Sequence, residues 1–73
     1  MRLGWLESAL EMAKRHVAEG LQRIAQQEAL IAHLEAENFR VLAEEARVLL
    51  WTMRDQQKMF ERHAAEEREK LRR

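Results

Sequence analysis

The sequence predicts an all-α protein folded as a two-helix antiparallel hairpin, and three observations carry that prediction. Proline is absent and glycine occurs only twice in 73 residues, at Gly4 and Gly20, in a chain rich in the helix formers Ala, Leu, Glu, Gln, Arg and Lys. Apolar residues keep heptad time from Leu3, with one row at Leu3, Leu10, Val17, Ile24 and Ile31 and another at Leu6, Ala13, Gly20, Gln27 and Leu34. The repeat breaks at Glu37-Asn38-Phe39, where Asn38 is suited to end a helix in the left-handed conformation. With Asn38 at C′, Phe39 is C″ and Leu34 is C3, the two positions that meet in a Schellman ending. The alternative is one continuous long helix in a coiled coil, about 105 Å from end to end, with the break as a stutter.

In the hairpin, residues 1–73 form a single domain, with helix one at about 5–37 and helix two at about 41–71. Ser8 followed by Glu11 fits a capping box, while the apolar lead-in also allows a start near Leu3; the sequence leaves both open. Gly20 costs roughly 1 kcal/mol against Ala inside a helix, which predicts a close neighbour there. Gln27 is a polar seam residue of the kind that sets register. Leu21 and Leu30 widen the stripe beyond a two-stranded seam. The second stripe reads Leu42, Ala46, Leu49, Met53, Gln56, Phe60 and His63, with Glu44 and Glu45 expected in the first helical turn. Residues 1–38 hold four basic and six acidic side chains and residues 39–73 hold nine and seven, so the helices are complementary in charge.

So short a chain buries little apolar surface by itself. A hairpin would leave Leu21, Leu30, Leu50 and Trp51 partly wet, and a homodimer in the form of a four-helix bundle or coiled-coil assembly would cover them. The interface is expected at Leu10, Val17, Gly20, Ile24, Ile31, Leu34, Leu42, Leu49, Met53 and Phe60. Cysteine is absent, which excludes disulfides. The net charge of zero gives no bulk attraction to nucleic acid or an acidic membrane. No stretch has the length of a signal-peptide core or a membrane span, and a cytoplasmic protein without a membrane partner is the expectation.

At His16-Val17-Ala18-Glu19-Gly20, Ile24-Ala25-Gln26-Gln27 and Leu30-Ile31-Ala32-His33-Leu34-Glu35, the chain resembles a group of small helical bacterial proteins, found mainly in soil alphaproteobacteria. The similarity runs on through Ala46, Leu49 and Leu50 to His63. That group has no assigned activity and transfers no catalytic residue; the resemblance implies a bacterial cytoplasmic origin. Its members carry a Gly-containing turn followed by Asp-Thr, whereas this chain has Asn38-Phe39-Arg40-Val41, which lacks the N-cap.

His16-x-x-Glu19 and His63-x-x-Glu66 repeat a spacing by which bundles present metal ligands, and a turn near Asn38 brings them to the same end. Solvated helix faces are the simpler reading, so no metal site is assigned to His16, Glu19, His63 or Glu66. His33 has no partner at ligand spacing. No nucleophile–base set and no Gly-rich phosphate loop is present, so no catalytic residue, cofactor or enzyme activity is expected. The basic clusters at Lys14-Arg15-His16 and Arg68 to Arg73 are interrupted by acidic residues and lack stacking aromatics, which argues against nucleic-acid binding. A small nucleic-acid-binding regulator and a metal-binding bundle remain the alternatives. The leading expectation is a structural or adaptor module for protein–protein interaction, with Trp51, flanked by Arg47 and Arg54, as the partner surface.

Overall fold

The structure, a computed structural model, describes residues 8–72. It consists of helices α1 (Ala9–Ala36, 28 residues) and α2 (Arg40–Arg72, 33 residues), doubled back on each other in a body of 55 × 26 × 12 Å. The smallest dimension is the thickness of one helix. The protein is therefore a single layer, in which each helix has a neighbour on one side only. This is the hairpin and not the continuous rod. The roles expected of Leu3, Gly4, Trp5, Leu6 and Arg73 lie outside the described residues.

The start of α1 is decided by Ser8, whose extended backbone (φ −71°, ψ 164°) is not helical. Its Oγ accepts from the Glu11 N–H at 3.0 Å, and its own N–H donates to Glu11 Oε1 at 3.0 Å. This reciprocal capping box starts the helix at Ala9, the first of the two starts that the sequence allows, and contributes about 1 kcal/mol.

Asn38 has φ 63°, the only positive φ among the described non-glycine residues. The Asn38 N–H donates to the Glu35 carbonyl at 3.1 Å and the Phe39 N–H donates to that of Leu34 at 2.9 Å. These are the two bonds of a Schellman ending, with Asn38, Phe39 and Leu34 at the expected positions. The Phe39 carbonyl then accepts from the Ala43 N–H at 2.9 Å, so the residue that closes α1 also opens α2. Because α2 begins at Arg40, Glu44 and Glu45 stand in its second turn, and the first turn holds no acidic residue. That corrects the expected dipole pairing.

The packed seam follows one rule on both helices. Apart from His16, Glu19 and Arg47, every helical residue that is not exposed lies on a 3–4 repeat, from Leu10 to Leu34 on α1 and from Ala43 to Glu67 on α2. On α1 this is the heptad read from the sequence. On α2 it is Ala43, Ala46, Leu50, Met53, Gln57, Phe60 and Ala64. Three positions of the expected second stripe hold, while Leu42, Leu49, Gln56 and His63 each stand one residue short of the seam and are exposed. Leu50, expected to be partly wet, is buried. The cause is size. A stripe read from large apolar residues passes over alanines, yet alanines let two helix backbones approach most closely. Ala13, Ala43, Ala46 and Ala64 are buried together with Leu50, and no large side chain among the described residues is fully buried.

Gly20 belongs to the same economy of space. A Cβ there would stand 1.8 Å from Gln57 Oε1 and 3.3 Å from Phe60 Cδ2, so the bare backbone of α1 is the bed for two side chains of α2. Carried along antiparallel helices of equal rise, that pair sets Ala13 beside Ala64 and Leu34 beside Ala43. Gln57, 5% exposed, donates through Nε2 to the Val17 carbonyl at 2.9 Å. Gln27 does the reverse, donating from α1 to the Ala46 carbonyl at 2.9 Å. Each glutamine reaches the other helix's backbone, and sliding one helix by a turn breaks both bonds. Gln57 Oε1 has no hydrogen bond and lies against the Gly20 Cα, at most a weak C–H contact.

Two outcomes are expected. Asn38→Ala loses about 1–2 kcal/mol, because Ala resists the left-handed conformation that Asn tolerates, while Asn38→Gly is neutral or stabilising. Thermal melts at matched concentration check the order, and the reverse order would belong to a continuous helix. Gly20→Leu is expected to cost about 1–3 kcal/mol by overpacking. Gly20→Ala, in contrast, should stabilise a Gln57→Ala background by roughly the 1 kcal/mol helix gain. A double-mutant cycle showing no coupling between positions 20 and 57 would rule out the close contact.

Candidate functional site

A single layer of two helices has two broad faces, and the residues flanking the seam make them different. On one face, flanking positions of α1 and α2 carry opposite charges. Arg47 of α2 pairs with Glu35 of α1, and Arg54 pairs with Glu28 at 2.7 Å. Arg47 also holds Glu44 one turn back at 2.8 Å. Its hydrogen bond to Glu35 is the main reason its guanidinium is held above its already high ordinary pKa. The sequence-level charge difference between the helices is thus realised in named pairs. Trp51, four residues after Arg47 and three before Arg54, stands between these two bridges and is 62% exposed.

The other face carries a groove between the helices lined by Gln27, Leu30 and Leu34 from α1 and Leu42, Glu45, Ala46 and Leu49 from α2. Leu30 is 44% exposed, and Leu42 and Leu49 are 51% exposed. No cross-helix ion pair joins these lining residues. The two leucines that miss the α2 seam are therefore not strays; together with Leu30 and Leu34 they form one continuous apolar strip. The sequence pattern places Leu42 and Leu49 at the interface without separating the hairpin's own seam from its outer face. The missed signal was Ala43 and Ala64, which continue in helical phase with Ala46.

The histidines stand in different surroundings. The His16 ring packs against Phe60, centroids 5.6 Å apart at 44°, and is half-buried there. Glu19 is engaged by Arg15 at 3.4 Å, while His63 and Glu66 are exposed, as is His33. Among the described residues no three His, Asp or Glu side chains are grouped to hold a metal ion. At the open end of the hairpin, the Glu67 carboxylate accepts from Lys70 Nζ at 2.8 Å, and that hydrogen bond holds its pKa below the ordinary value. No helix among the described residues is long and apolar enough to cross a membrane. No family model, curated protein or solved structure matches the chain.

Exposed ion pairs on a helix layer contribute little, because water screens them and two long side chains must be held still. Arg54→Met is accordingly expected to shift stability by no more than about 1 kcal/mol, with the difference from wild type shrinking in molar salt. Denaturant melts at low and high salt measure it. A larger loss that persisted in salt would show that the charged face holds the hairpin closed.

Proposed function

We propose that the protein is a non-enzymatic structural or adaptor module, a helical hairpin that assembles with itself and presents a helical surface to another protein. The observation that carries this reading is the contrast between its two kinds of apolar residue. The seam buries mainly alanines and no large side chain fully, while Leu30, Leu42, Leu49 and Trp51 stand in water. A layer that keeps several large apolar residues on its outside is built to be covered. Trp51 between Arg47 and Arg54 is the surface offered to the other protein, since tryptophan and arginine dominate the energetic centres of protein interfaces. On this reading the chain acts in the cytoplasm of a bacterium, in line with its resemblance at His16 to Gly20.

Oligomerisation is the part that is measured directly. Light scattering at micromolar concentration is expected to give twice the 8.7 kDa chain mass. The melting temperature should rise with protein concentration, as mass action requires of a folded assembly. A cooperative monomer across a wide dilution range would remove the basis of the proposal.

A further inference from the structure

We infer that the leucine face is the self-association surface: a second copy lays its own groove of Leu30, Leu34, Leu42 and Leu49 onto it by twofold symmetry, leaving Trp51 on the outside. This rests on the homo-oligomer reading above and assigns it a face and an occupant.

The amount of surface points to an occupant of the hairpin's own size. The accessible surface is 5978 Å², whereas a compact monomer of this mass exposes about 4,700 Å². The excess of about 1,300 Å², summed over the whole chain and all its faces, is of the order of the ~800 Å² that each partner buries in a standard stable interface. The 55 × 26 Å outline of the layer has room for such a contact.

Desolvation decides which face is used. Covering the opposite face would strip water from Arg47, Glu35, Arg54 and Glu28, and the desolvation of buried ions can exceed what their pairing returns. The leucine groove brings one charged residue, Glu45, among those that line it.

Shape and charge then favour a second copy as the occupant. The groove runs between a ridge bearing Leu30 on α1 and one bearing Leu42 and Leu49 on α2. A twofold operation sets the ridges of one copy into the groove of the other, so the same patch serves both sides. A formal net charge of zero raises no repulsion between copies. The product is a four-helix bundle in which Leu34, half-buried in one hairpin, becomes core. The tryptophan face stays open on both outer sides, free for a different protein.

The test compares the faces by sedimentation. Wild type and Trp51→Glu are expected to dimerise alike, and Leu42→Glu combined with Leu49→Glu should raise the dissociation constant at least 100-fold. Loss of the dimer can also unfold a chain, so a second measurement uses the absence of native cysteine. Leu49→Cys and Trp51→Cys introduce single thiols at sites of similar exposure within one hairpin. Titrated with a soluble aromatic disulfide at dimer-forming concentration, the thiol at position 49 should react at least tenfold more slowly than that at 51. The gap should close on dilution to monomer. A dimer that survives both glutamates, a dimer lost through Trp51→Glu, or equal thiol rates in the dimer would overturn the face assignment while leaving self-association standing. A monomer at every concentration would overturn both.

Discussion

Everything in this molecule depends on one residue holding a left-handed backbone. At φ 63°, Asn38 turns the chain so that the Phe39 N–H returns to the Leu34 carbonyl and the next helix starts at once. A right-handed residue there would continue α1 and carry the following residues away along its axis. Phe39, which precedes α2, has no side-chain acceptor to cap its start, so the direction of α2 comes from the backbone bonds of the turn and from what α2 meets along α1. The turn supplies antiparallel direction; the seam supplies distance and register.

Distance is set by small side chains. Alanines at 13, 43, 46 and 64 and the bare backbone of Gly20 let the helices lie close, and Gln57 and Phe60 occupy the space that a Cβ at Gly20 would take. Register is set by polar groups, since Gln27 and Gln57 each find a carbonyl on the opposite helix. A close, polar-pinned seam is specific but poor in buried apolar area, because a methyl group contributes far less than a leucine side chain. Specificity of pairing and shortage of core thus have the same origin.

The shortage shapes the surface. Alanines take three seam positions of α2, at 43, 46 and 64, and Leu42 and Leu49 stand on its flank. Leu42 and Leu49 join Leu30 on one face, while the flanks bearing Glu28, Glu35, Arg47 and Arg54 close the other with ion pairs. A thin layer with one leucine-rich face and one charged face can stack without hiding its ion pairs, and Trp51 belongs to the charged side. The proposed assembly and the proposed partner surface therefore do not compete.

Much of this was written in the residues. Helical composition, the α1 heptad and the Schellman ending at Asn38 are local properties, fixed by propensity, periodicity and one residue's tolerance of positive φ, and local properties are legible without a partner strand or helix. The close approach at Gly20 was legible too, because a glycine inside a helix is costly unless something fills the space. The phase of α2 was not. Leucine and alanine are both compatible with a helix, and the sequence of α2 contains a leucine-led stripe and an alanine-led stripe that share Ala46, Met53 and Phe60 and differ by one residue at the positions between. Which of them meets α1 depends on how near α1 lies, and that is settled by packing across the hairpin. The same choice decided that Leu50 is buried while Leu49 is not, that Gln57 and not Gln56 bridges to the backbone, and that His16 packs on Phe60. Sequence alone determined that the chain doubles back and where; tertiary structure decided which side of α2 faces inward, because interhelical distance is a property of two helices together.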